Sequence, residues 1–189
     1  IHSSKNQLHT HPLIRKTHPL IRNTRPLIRN SRPLSNHGAG SKLFNEQFYA
    51  QRDVDMEYTD PVIHRNHFIY LNGVWLNKPE SLKHSRETEE YEDYVAILFY
   101  GTSANVVLTG FGESDPYKVM VYLYDMPLKN EFAGEDIKWD SSGNSYIEVV
   151  DSQLYRLIKS PNYGGFELKI SSNSENFELF AFTFGSFQN

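Results

Sequence analysis

Between residues 179 and 185 the side chains alternate: Phe180, Phe182 and Phe184 share one side of an extended strand, and Leu179, Ala181 and Thr183 share the other. A period of two with large aromatics on one side is the pattern of a strand laid over a core. The same period governs the rest of the C-terminal two thirds. Short apolar stretches at 68–71, 94–100, 104–108, 117–124, 145–150, 153–158, 165–170 and 177–184 are separated by Gly, Pro, Asn and Ser clusters. Among them are Asn72-Gly73, Gly101-Thr102-Ser103, Asp125-Met126-Pro127 and Pro161-Asn162-Tyr163-Gly164-Gly165. About eight short strands joined by turns, with no alternation of strand and helix, predict an all-β fold. The expected architecture is an antiparallel β-sandwich of jelly-roll type. Residues 68–189 form that module, and 43–67 form an irregular lead-in, with a short helix expected over 42–50.

Residues 1–42 are a different kind of polymer. From Thr10 a seven-residue unit, Thr-His-Pro-Leu-Ile-Arg-Lys in its first copy, runs through four copies with Pro12, Pro19, Pro26 and Pro33 at the same place. A heptad suggests a coiled coil, but Pro in a helix interior costs about 3 kcal/mol. The expected state is an extended, disordered tail and linker. These 42 residues hold eight of the 19 Lys and Arg and no acid, for a charge of +8; residues 43–189 carry −12, which returns the chain's −4. An acidic globular part argues against nucleic acid as partner. No run approaches the roughly 20 apolar residues that span a bilayer.

The chain has no cysteine, which removes thiol catalysis, disulfides and Cys-ligated metal. Catalytic signatures are sparse. The globular part holds only His64, His67 and His84, there is no Gly-x-Ser-x-Gly elbow, and the acids at 87–93 read as a solvated run. No cofactor, metal or enzymatic activity is expected. Asp136 and Asp140 admit a calcium reading, although Asp140-Ser141-Ser142-Gly143-Asn144 is more simply a turn.

A series of motifs occurs in order: Tyr70-Leu71-Asn72-Gly73-Val74-Trp75, Ala104-Asn105-Val106-Val107, Met126-Pro127-Leu128, Gly134-Glu135-Asp136-Ile137, Leu154-Tyr155-Arg156-Leu157-Ile158, Gly165-Phe166-Glu167-Leu168 and Phe182-Thr183-Phe184-Gly185. This set resembles the C-terminal β-sandwich domain of thioredoxin-family proteins of the DipZ type, itself similar in fold to carbohydrate-binding modules. The family's Asp-Gly turn appears here as Tyr124-Asp125-Met126. The resemblance implies a non-catalytic accessory module in a periplasmic or extracytoplasmic setting. It would bind carbohydrate or another cell-envelope ligand, or alternatively pack on a thioredoxin-like redox domain or partner. No Cys-x-x-Cys is present, so the redox chemistry does not carry over. The candidate ligand-binding residues are Trp139, Tyr163, Tyr124, Tyr122 and Trp75, since a flat aromatic face with a polar handle suits a sugar ring. Against this, Trp75 reads first as core, and Tyr122 and Tyr124 as one face of a sheet.

Overall fold

The structure, a computed structural model, describes residues 42–43 and 53–186. The repeat tail and the segment 44–52 lie outside the described residues. Eleven strands form one continuous hydrogen-bonded system: β1 (Lys42–Leu43), β2 (Asp55–Tyr58), β3 (Phe68–Asn77), β4 (Leu82–His84), β5 (Tyr94–Leu108), β6 (Tyr117–Leu123), β7 (Met126–Pro127), β8 (Lys138–Trp139), β9 (Ser145–Val149), β10 (Gln153–Ser171) and β11 (Glu178–Gly185). All pairings are antiparallel except β1 with β3. Among the described residues the only helical element is a single 3₁₀ turn, Asn130–Phe132. Lys42–Leu43, expected to open a short helix, pair instead as β1.

The sandwich arises because β5 and β10 belong to both layers. The first half of β5 pairs with β3 and with the second half of β10; its second half pairs with β11 and with the first half of β10. Strand β3 also pairs with β4, and β4 with β11, so β3-β4-β11-β5 closes into a barrel-like ring. Strands β6, β9 and β8 extend the upper layer. Between the layers lies one buried core: Ile69 and Leu71, Val95, Ile97 and Phe99, Val119 and Val121, Leu168 and Ile170 above, with Val106, Leu108, Leu157 and Phe182 below. Strands that switch sheets need an irregularity at the corner. In β10 four residues, Ser160 to Tyr163, fall between the rungs Lys159–Ser103 and Gly164–Gly101. Two expected breaks, at 101–103 and at 159–164, are therefore a bend and a bulge within long strands.

Strand β11 departs from its expected alternation. Its register slips between Leu179, opposite Leu108, and Ala181, opposite Val107, leaving Phe180 as the extra residue. One extra residue inverts the face of everything beyond it. Leu179 and Phe182 therefore both point into the core, whereas Phe180 is only half-buried. Phe184 stacks on Phe99 with centroids 4.8 Å apart.

Asn72-Gly73 is not a turn but the middle of β3. Gly73 has φ of 96°, and a Cβ there would lie 2.0 Å from Asp93 Cγ. That missing side chain makes room for a buried polar cluster. Asp93 accepts from Val74 N (3.1 Å), His84 Nε2 (3.0 Å) and Arg86 Nε and Nη2 (2.7 and 2.6 Å). His84 Nδ1 lies 2.9 Å from the Ser174 carbonyl oxygen, so both ring nitrogens face acceptors. Gly73→Ala combines positive-φ strain with overpacking, each worth about 1–3 kcal/mol. We expect it to lower the unfolding free energy by the sum of the two, read as a lower urea midpoint with no change in m-value.

Candidate functional site

In β5, Phe99 points into the core and Tyr100 therefore points out, opposite Gly165 of β10. Because that rung has no side chain on β10, the Tyr100 ring lies against the Gly165 backbone; a Cβ there would come within 2.9 Å of Tyr100 Cζ. Tyr163, raised by the bulge at 160–163, meets Tyr100 with ring centroids 6.5 Å apart. Tyr124 reaches the same place from the β6–β7 hairpin, where its hydroxyl donates to the Gly165 carbonyl and its amide to the Glu167 carbonyl (3.0 Å). Tyr124 and Asp125 both have positive φ, 51° and 60°. This is the conformation of a two-residue hairpin turn that ordinarily favours Asn-Gly or Asp-Gly, and Asp125 is held in it by an ion pair with Lys169.

The result is a solvent-facing tyrosine cluster: Tyr100 is 48% exposed, Tyr124 51% and Tyr163 62%. Burial, then the neighbouring Glu167 charge and Tyr100, raise the Tyr124 hydroxyl pKa, so it is a neutral donor at physiological pH. Rings with an exposed face and hydroxyl oxygens at the surface can stack on an apolar ligand face and hydrogen-bond its rim. Ser160 and Pro161, from the same bulge as Tyr163, also line a shallow hollow of about 340 Å³ with Asn130, Glu131, Ala133 and Lys159. A second hollow of about 270 Å³ adjoins it across Lys159, lined by Asn105 and Arg156 among others.

Of the residues singled out in the sequence, the structure brings Tyr163 and Tyr124 together. Tyr122 is half-buried two residues before Tyr124, opposite Lys169 on β10 and Pro127 on β7. Trp139 stands on β8, 38% exposed, with its indole N–H donating to the Leu128 carbonyl (3.0 Å). Trp75 has no solvent exposure: its indole donates to the Asn72 carbonyl (2.8 Å) and its ring packs on His84 and Phe177. It therefore has no surface to offer a ligand, because β3 turns it into the core beside the Asp93 cluster. Asp140 caps its own loop, accepting from the Ser142 and Asn144 amides and the Asn144 side chain. Those donors hold its carboxyl below the usual carboxylate range. Among the described residues no group of three or more His, Cys, Asp and Glu is placed to hold a metal ion. Tyr100 is not among the residues singled out from the sequence. Its signal was the pair Phe99-Tyr100 in a period-two strand, which must send one ring in and the other out.

No curated protein matches the chain. Among solved structures, an active-site mutant of a family two carbohydrate esterase from Clostridium thermocellum, in complex with celluohexase, is similar at a TM-score of 0.45 and 20% identity. The match covers 62% of this chain and 31% of that one. The model of a family described as the thioredoxin like C-terminal domain matches residues 39–185. That span starts just before β1 and stops at the last residue of β11, taking in every strand of the sandwich, and the chain belongs to this family.

Proposed function

We propose that the chain is a non-catalytic accessory module that binds carbohydrate at the cell envelope through the tyrosine cluster around Gly165. The observation that carries the reading is three tyrosine rings from three different elements, gathered at a glycine rung and left open to solvent. A monomeric domain without such a role places large aromatics inward or singly. With no cysteine in the chain, a thioredoxin redox centre is absent. This supports a binding role rather than redox catalysis.

The test is a polysaccharide pull-down or glycan array with the wild type, Tyr100→Ala, Tyr163→Ala and Trp139→Ala. Loss of a single stacked ring is worth about 1 kcal/mol beyond its buried area. Binding is therefore expected to weaken by about fivefold or more in the first two variants, with melting temperatures held near that of the wild type. Trp139→Ala is expected to bind as the wild type does. Absence of any glycan ligand for the wild type would overturn the carbohydrate reading. It would favour the second one, an interaction domain that packs on a thioredoxin-like domain, which the family description supports.

A further inference from the structure

Residues 59–67 cross the outside of the upper layer, anchored by a histidine that no function above uses. The His64 side chain is 5% exposed and stacks on Tyr70 with centroids 4.1 Å apart. Its Nε2 lies 2.7 Å from Asp60 Oδ1. Its Nδ1 lies 2.7 Å from Glu167 Oε1 of β10, an ion-pair contact whose angle falls short of a hydrogen bond. Asp60 also accepts the Val62 amide (2.8 Å) and the Tyr94 hydroxyl (2.9 Å). Burial raises the Asp60 carboxyl, but the His64, Val62 and Tyr94 hydrogen bonds outweigh it and hold the group below its ordinary value.

Two features make this anchor conditional. A carboxylate oxygen can only accept, so both contacts are satisfied together only when both ring nitrogens carry protons. The neutral ring instead points a lone pair at one carboxylate from 2.7 Å. The segment is also strained: Val62, a β-branched residue, has φ of 70° and His67 has φ of 62°, while Val62 and Ile63 are more than 80% exposed. A valine at positive φ is a conformational outlier that persists only where its surroundings impose it.

We propose that His64 is a pH-sensitive clasp. Protonated, it pins residues 60–65 across β3, β5 and β10; deprotonated, it releases them, while Asn66 and His67 stay bridged to Leu98 of β5. The charged and titratable groups around it are Asp60 and Arg65 on the segment, Tyr70 on β3, Tyr94 on β5, Glu167 and Lys169 on β10, and Asp125 in the hairpin turn beside Lys169. Two carboxylates lie in direct contact with the ring, and the Lys169 ammonium is occupied by Asp125 and the Tyr94 ring. The clasp is therefore engaged when both ring nitrogens carry protons and lost when one proton leaves, which puts the engaged state at the lower pH. This holds whatever ligand the tyrosine cluster takes.

Amide hydrogen exchange by NMR tests it on the full chain. The reporters are the amides of Val62, bonded to Asp60, and Arg65, bonded to the Tyr70 hydroxyl (2.7 Å). After correction for intrinsic exchange, their protection is expected to fall about tenfold or more between about pH 5.5 and pH 8, while core amides such as that of Val121 keep theirs. In His64→Gln, protection of the two reporters should be low and flat across that range. Wild-type protection that is independent of pH would overturn the proposal, as would the same pH dependence in His64→Gln. Should His64→Gln fail to fold, Glu167→Gln serves in its place: it must flatten the pH dependence, and an unchanged profile overturns the clasp.

Discussion

Asp93→Ala is expected to cost about 3–5 kcal/mol of unfolding free energy, measured by urea denaturation. This is the range for removing one partner from a buried, hydrogen-bonded ion cluster. The Val74 amide, the His84 Nε2 and the Arg86 guanidinium all donate to this one carboxylate, which is 1% exposed. Its deletion strands a part-buried backbone donor and a fully buried histidine. Asp93 also sets a pH dependence. Burial raises its carboxyl, but the hydrogen bonds from Arg86, His84 and the Val74 amide and the Arg86 charge outweigh it, so the folded-state pKa is depressed. A depressed carboxyl stabilises the fold above its unfolded value near 3.9, and that stability is lost as pH falls through the folded-state pKa. Stability should therefore drop on acidification below about pH 5 in the wild type. In Asp93→Asn, already weaker at neutral pH, the drop should be shallower. An equally steep acid profile in the two proteins would show that the cluster is not what acid titrates.

Phe182→Asp is expected to abolish the cooperative melting transition of the whole sandwich. Phe182 has no solvent exposure and belongs to the apolar core, and an unpaired carboxylate in such a site is not sustained. Truncation to alanine alone costs about 3–5 kcal/mol at a buried phenylalanine. The informative control is Phe180→Asp. Strict alternation puts Phe180 beside Phe182, and equal damage would follow; the bulge in β11 puts it at the half-buried extra position, so the transition should survive. Calorimetry distinguishes the two outcomes directly.

The all-β class and the antiparallel sandwich were legible in the sequence because a period of two is printed in the order of residues. Continuity was not. Gly101-Thr102-Ser103 and Asn72-Gly73 have the composition of turns, yet both lie inside strands. The glycines answer to neighbours distant in sequence: the Gly185 carbonyl would sit 2.8 Å from a Cβ at Gly101, and the Asp93 carboxyl fills the space at Gly73. Bulges are equally hidden, since Phe180 and the residues 160–163 differ from ladder residues only through their partners. At the tyrosine cluster, Tyr163 stands out as an aromatic in a turn, whereas Tyr124 reads as the end of a strand face and is carried outward by the hairpin turn. The outward turn of Tyr100 follows from the alternation at Phe99-Tyr100, but its place in the cluster depends on Gly165 being its partner. The His64 clasp left no trace in the sequence, because Asp60, Tyr70, Tyr94 and Glu167 converge on it from four separate stretches.

The place of β11 has a consequence for synthesis. It is an interior strand, hydrogen-bonded to β4 on one side and to β5 on the other. A nascent chain that has emerged only as far as residue 177 therefore carries two unsatisfied strand edges, on β4 and on the second half of β5, with an aromatic-lined gap between them. Such edges template pairing with other chains. The ring cannot close around Phe182 until β11 has emerged, so both edges stay open from the synthesis of β5 until then. Whatever shields those two edges during that interval determines how much of this protein reaches its folded state.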